Sequence, residues 1–260
     1  MREKNIFQKL FVSMVAFVMV AAMLAPMTVE AAPVYSKKQL VYLDSKSGIG
    51  YASVSIDNIA KGQKIVGVSS SDKKVAKPYA YSNSSPTHNY KNLMYKDDSY
   101  NSSSRDGYVS VDLLKTGKAT ISVKVGKSSK SYKTYKTTLT VKAYENPMKS
   151  FTITGINKGK TIAKKFKDVS YNYGTLSKDA KSAKITVKAN TDKGWRIKSI
   201  DFYNRKNDCS RNISFGANGT SSASQSVSTI YKKYGGYVYV NFYNTKTGGS
   251  MSCYYSIDGK

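Results

Sequence analysis

The run Leu114-Lys115-Thr116-Gly117-Lys118-Ala119-Thr120-Ile121-Ser122-Val123-Lys124-Val125 decides how this chain folds. Ala119, Ile121, Val123 and Val125 take the odd positions, with Thr120, Ser122 and Lys124 between them. A period of two sends one set to a core and the other to water, which is a β-strand. Lys115-Thr116-Gly117-Lys118 supplies the turn before it. The same alternation returns in Leu139, Val141 and Ala143, and again in Ile185, Val187 and Ala189. Near the end Val238, Val240 and Phe242 alternate with Tyr239, Asn241 and Tyr243. Gly126-Lys127-Ser128, Gly235-Gly236 and Thr247-Gly248-Gly249 mark further turns. Short strands at this spacing predict sandwiches.

Composition agrees. The chain has 260 residues and 22 Tyr. Val, Thr, Ser and Gly are abundant, while Leu and Glu are few. Tyr, Val and Thr suit a half-buried pleated surface, and no amphipathic helical stripe follows the first segment. The expected class is all-β, two tandem β-sandwich domains.

The first segment stands apart. Arg2, Lys4 and Lys9 precede an apolar run from Leu10 to Leu24, and Val29 and Ala31 offer small residues for cleavage. This predicts a signal peptide over residues 1–31, hence an exported protein, secreted or on the cell surface. The run is short for a membrane span and no second one follows, so no integral membrane segment is expected after cleavage. Neither a lipobox cysteine nor a Leu-Pro-x-Thr-Gly-like anchor is seen, so surface retention is expected to be non-covalent.

The remaining 229 residues split at Tyr144-Glu145-Asn146-Pro147 into 33–145 and 148–260, because Pro147 cannot donate to a central ladder. A Ser/Asn/Asp-rich loop is expected near residues 81–106.

Ile65-Val66-Gly67-Val68-Ser69-Ser70-Ser71-Asp72 leads into Lys73-Lys74-Val75-Ala76, then Tyr108-Val109-Ser110-Val111, Gly117-Lys118-Ala119-Thr120-Ile121 and Thr138-Leu139-Thr140-Val141. This order resembles the bacterial immunoglobulin-like domain of group 2, over residues 50–143. The resemblance implies an Ig-like sandwich in a secreted or surface protein, adhesins among them, and brings no catalytic residues. Two features depart from the family: Val68 stands where a Trp is usual, and residues 81–106 are inserted.

Chemistry is sparse. His88, the one histidine, sits in a polar stretch and is a poor base for any Ser-His-Asp arrangement. One His and two Cys do not assemble a zinc site. Asp97, Asp98 and Asp106 lack the spacing of a calcium loop. No metal, no cofactor and no enzymatic activity are expected. Cys209 and Cys253, an even pair in an exported chain, are the disulfide candidate, with free thiols as the alternative.

Charge is the strongest functional signal. Lys+Arg number 42 against 16 Asp+Glu, a net charge of +26. Past the signal segment only Arg105, Arg196, Arg205 and Arg211 are arginine; the other basic residues are lysine. Lysine attracts anionic surfaces diffusely and protects strand edges, which argues against specific nucleic-acid reading. Tyrosine and cations interleave at Tyr132, Lys133, Tyr135 and Lys136, at Tyr203, Arg205 and Lys206, and at Tyr231, Lys232, Lys233 and Tyr234. These are the candidate ligand-binding residues, since exposed rings stack and cations draw anions. Trp195 reads as core rather than platform.

The expected function is a non-enzymatic binding or adhesion protein. Its partner would be an anionic cell-wall polymer or host glycan, or a protein. A structural spacer without glycan binding and an accessory module for neutral polysaccharide are the alternatives.

Overall fold

Alternating residues become strands where the sequence placed them, except Ala143, which lies just past the end of its strand and is exposed. A computed structural model describes residues 32–83 and 106–259. The expected signal segment and most of the expected loop lie outside these, with His88, Asp97, Asp98 and Arg105. Within the described residues β1 is Lys38–Tyr42, β2 Gly50–Ile56, β3 Lys64–Ser70, β4 Ala76–Asn83 and β5 Gly107–Leu113. β6 spans Gly117–Ser128, β7 Ser131–Lys142, β8 Met148–Ile153, β9 Tyr171–Thr175 and β10 Lys184–Ala189. β11 covers Trp195–Asn204, β12 Cys209–Ser214, β13 Ser222–Ser226, β14 Gly235–Asn244 and β15 Ser250–Asp258.

One long sheet runs β12-β11-β14-β15-β1-β7-β6-β3, with β9 alongside β15. Two three-stranded sheets, β2-β5-β4 and β13-β10-β8, cover it. The first half is an immunoglobulin-type arrangement: β2-β5-β4 take the places of strands B, E and D, and β3-β6-β7 those of C, F and G. β1 then lies parallel to β7 from Lys38↔Thr138 to Tyr42↔Lys142. The second half repeats the device, with β9 parallel to β15 from Tyr254↔Tyr171 to Asp258↔Thr175. The architecture is all-β, two Ig-like sandwiches in tandem.

In the first sandwich Ile121, Val123 and Leu139 are buried with Val54, Val109 and Val111. In the second, Ile200, Val240 and Phe242 are buried with Phe151, Ile185 and Val187. Burying each such side chain contributes about 1.5–3 kcal/mol. The two parts of the Ser-Ser-Asp and Ala-Thr-Ile pattern meet here: Ser71 Oγ accepts from the Thr120 amide at 2.8 Å, and the Ser71 amide donates to Thr120 O at 3.0 Å.

Register shows how the halves join. Val41 pairs with Val141, which points into the first core, and also with Ser250, on the exposed face of β15. Paired residues share a face of the sheet, so the two covering sheets lie on opposite faces of the long one. Tyr42, one residue on, turns to the other face, and its ring lies 4.9 Å from that of Trp195. Trp195 is fully buried, as its sequence context predicted.

The segment from Tyr144 to Pro147 is clamped. Tyr144 Oη donates to Phe166 O at 2.6 Å and Val169 O at 2.9 Å. Glu145 accepts the Trp195 indole N–H at 2.9 Å and pairs with Lys193 at 2.9 Å. Asn146 reaches Ala163 O at 3.1 Å.

The expected bridge between Cys209 and Cys253 is not formed; both thiols are free, Cys209 exposed and Cys253 buried. Cys209 pairs with Asn204, Asn204 with Gly236 and Gly236 with Ile257, so β11 and β14 separate the two cysteines. That is about 14 Å across three strand spacings and about 14 Å along β15, against the roughly 7 Å that a disulfide spans. Chain spacing alone carried no information about this. In the native protein a thiol reagent should titrate one cysteine, and a second only after denaturation, since burial pushes the Cys253 thiol well above its usual range. Two protected thiols released by reductant would contradict this arrangement. Tyr144→Phe should cost about 1–3 kcal/mol in urea unfolding by stranding the Phe166 and Val169 carbonyls.

Candidate functional site

The covering sheet β13-β10-β8 occupies one face of β11, β14 and β15, leaving the other open. Register builds that open face row by row. Ser210, Tyr203, Tyr237, Ser256 and Tyr173 form one row. Asn212, Asp201, Tyr239, Tyr254 and Tyr171 form the next. Ser214, Ser199, Asn241 and Ser252 follow, then Arg196, Tyr243 and Ser250.

The tyrosines make a continuous shelf. Tyr203 and Tyr237 stack at 4.6 Å, Tyr237 meets Tyr254 at 5.8 Å, and Tyr254 meets Tyr239 at 4.8 Å. Tyr171 and Tyr173 extend it along β9, 62% and 67% exposed. β9 lies close because Gly174 faces inward; a Cβ there would stand 2.1 Å from Tyr255 Oη.

Polar groups between the rings are tied down. Asp201 accepts from Ser199 at 3.0 Å, from Asn241 at 3.1 Å and from Asn212. Asn241 in turn accepts from Ser252 at 2.6 Å. Tyr203 donates to Asp208, a bond that raises its hydroxyl pKa. Burial beside Tyr254 and Tyr237 raises that of Tyr239. These hydroxyls therefore remain donors at neutral pH.

Because the two covering sheets sit on opposite faces, β2 stands as a wall at the foot of the shelf. A cleft of about 640 Å³ there is lined by Val41, Asp44, Tyr51, Ser53, Ser250 and Ser252. A second cleft of about 600 Å³ lies where the halves meet, with Lys46, Lys149, Lys164, Lys167 and Lys193 around Glu145. Lys46 and Lys149 pair with Asp168 at 2.8 Å and Asp192 at 2.7 Å. Among the described residues no three His, Cys, Asp or Glu side chains gather as a metal site, and no helix is long and apolar enough to cross a membrane.

The tyrosine and cation clusters expected from sequence part into two groups. Tyr203, Arg205, Lys206, Tyr231, Lys232, Lys233 and Tyr234 come together at the upper end of the shelf. Lys206 Nζ lies 3.7 Å from the Tyr231 ring centroid, and Lys233 Nζ lies 5.6 Å from that of Tyr234. Arg205 donates to Ser256 Oγ at 3.1 Å and Ile257 O at 3.3 Å. Gly235 closes the turn with φ +67°, and a Cβ there would meet Ile257 O at 1.8 Å.

Tyr132, Lys133, Tyr135 and Lys136 lie elsewhere. Tyr132 is nine residues before Val141 on β7, and Ser256 six residues beyond Ser250 on β15, in the opposite direction from the shared Val41. At about 3.3 Å per residue the groups are roughly 50 Å apart. Tyr135 leaves the expected binding set: it is buried edge-on against Tyr35 at 5.2 Å. Tyr132 stays exposed, with Lys124 Nζ 4.5 Å from its ring centroid.

Sequence reading missed Tyr171, Tyr173, Tyr237 and Tyr254. Alternation marked Tyr239 as outward, but no local signal paired it with Tyr254 and Asp201.

No family model matches the chain, and no curated protein does. Solved structures give distant likenesses. The surface layer protein SbsC, domains 4–9, is 14% identical with a TM-score of 0.30, covering 89% of this chain. This chain spans about a third, 32%, of that structure. The Ig1-2 module of the Drosophila receptor protein tyrosine phosphatase DLAR is 10% identical over 88% of this chain and 100% of its own, TM-score 0.38. The Yersinia pseudotuberculosis adhesin InvE is 12% identical over 87% of this chain and 58% of its own, TM-score 0.22.

Asp44, beside the β2 wall, offers a pH test. Burial raises its carboxyl pKa, only partly offset by the Ser170 hydroxyl and the Tyr51 amide. The folded state therefore holds this proton above the ordinary carboxylate range, and the site's contribution to stability falls as pH rises through that window. Asp44→Asn should flatten that part of the urea-midpoint profile and raise the midpoint at neutral pH. An unchanged profile would mean the group is solvated.

Proposed function

We propose that this is an exported, non-enzymatic protein that adheres to an anionic surface polymer, a wall polymer or acidic glycan, through lysine and tyrosine. Its signal segment is removed on export, its first sandwich is a bacterial Ig-like module of group 2, and its halves act as one rod. The observation that carries this reading is the gathering of Lys206 and Lys233 on Tyr231 and Tyr234, beside Lys232, Tyr203 and an Arg205 paired with Asp258, at one end of a chain of net charge +26. Lysine ammoniums held over tyrosine rings stay solvent-facing and ready to meet phosphate or carboxylate. The clamp around Tyr144 and Glu145 supports the rod, because it removes the freedom of the linker.

Binding of the purified protein to Gram-positive walls, with and without their teichoic acid, tests it. Retention should fall about tenfold when salt rises fourfold, as expected if roughly two counterions are released. It should be lost on stripped walls, and Lys206→Gln with Lys232→Gln and Lys233→Gln should lower it at least as much. Salt-independent retention, or none, would remove the proposal.

A further inference from the structure

Lysine studs the outward faces of this molecule, and the middle of one face carries none in an outward strand position. On β6 and β7 the outward positions include Lys118, Lys124, Lys136 and Lys142. On β10 they are Lys184, Thr186 and Lys188. On the shelf the four outward rows carry a single acid, Asp201, and a single base, Arg196. Lys198, on the bulge of β11, donates to Gly216 O and Ala217 O at 2.6 and 2.8 Å, with its Nζ 5.8 Å from the ring centroid of Tyr243 at one end of the shelf. Around Tyr171, Tyr239 and Tyr254, between Lys198 at one end of the shelf and Arg205 at the other, no lysine takes an outward strand position. Solubility alone would favour the reverse, since a broad aromatic surface invites association.

The chemistry left on the shelf is that of an uncharged ligand. Tyr171, Tyr173 and Tyr239 are 62%, 67% and 41% exposed, so their rings are open to a partner. Asn212 and Asn241, held by Asp201, and Ser252 present amides and a hydroxyl between them. The two middle rows hold no cation in an outward position, so a polyanion finds no partner charge there. A chain of pyranose rings fits instead, with apolar C–H faces and hydroxyl edges.

We propose that the open face of β9, β15, β14 and β11 binds an uncharged polysaccharide. Tyr171, Tyr173 and Tyr239 stack on sugar faces, and Asn212, Asn241 and Ser252 bond to the hydroxyls. This site adjoins the cationic end, since Arg205 donates to Ser256 beside Tyr173, but it is told apart from the anionic-polymer reading because salt weakens one and leaves the other unchanged.

The test is affinity electrophoresis of the purified protein through hydroxyethylcellulose, glucomannan, xyloglucan, dextran and pullulan, with sedimentation on insoluble cellulose and chitin, at low and high salt. At least one of these polymers should retain the protein equally at both salts. Tyr171→Ala with Tyr173→Ala should weaken that retention about tenfold or more, the scale of lost aromatic stacking. Tyr171→Phe with Tyr173→Phe should preserve it, as should Lys232→Gln with Lys233→Gln. Both tyrosines are exposed, and thermal melts of the alanine variant check that the fold is intact. Retention by none of these polymers, or retention unchanged in the alanine variant, overturns the proposal. Self-association lost with the same two tyrosines would make the shelf a contact between copies and overturn it as well.

Discussion

Everything in this molecule hangs on β1 having two neighbours. Its five residues run parallel to β7 on one side, and Val41 meets Ser250 of β15 on the other. A strand has only two faces, and Val41 must present the same one to both partners. In the first half that face is core, and in the second it is outside. The covering sheets are therefore forced to opposite sides, and the tyrosine face of the second half opens on the side from which β2 rises. A one-residue slip of β1 would exchange the faces of every residue in it, and the packing of Tyr42 on Trp195 would be lost.

The polar groups around that junction reinforce the constraint. Glu145 is held by the Trp195 indole and Lys193, Tyr144 by two backbone carbonyls, and Asp44 by Ser170 at 3.1 Å. Each would be costly to leave unpaired once buried, so opening the junction means losing several bonds together. The cationic end and the Tyr132 region consequently stay at opposite ends of one body. A polymer that touched both would need to extend along most of the long sheet.

Charge divides the surface by role. Lysines on the outward faces of β6, β7 and β10 make those faces soluble and attractive to anions. The shelf keeps its rings near one another, with Asp201 saturated by amides and Ser199. Such a surface is ordered before any ligand arrives, which lowers the entropy lost on binding.

Period-two alternation is a property of neighbours along the chain, so the sequence by itself marked β6, β7, β10 and β14, most of their inward and outward residues, the burial of Trp195 and the all-β class. The Ser-Ser-Asp turn and the Ala-Thr-Ile strand were legible for the same reason, since each is local. Which strands lie side by side is a matter of hydrogen bonds between residues far apart in sequence. Only the tertiary structure therefore assembled Tyr203, Tyr237, Tyr239, Tyr254, Tyr171 and Tyr173 into a shelf. It likewise buried Tyr135 against Tyr35, carried the Tyr132 region to the far end and set Cys209 three strands from Cys253. Alternation says which way a side chain points. Pairing register says what it points beside.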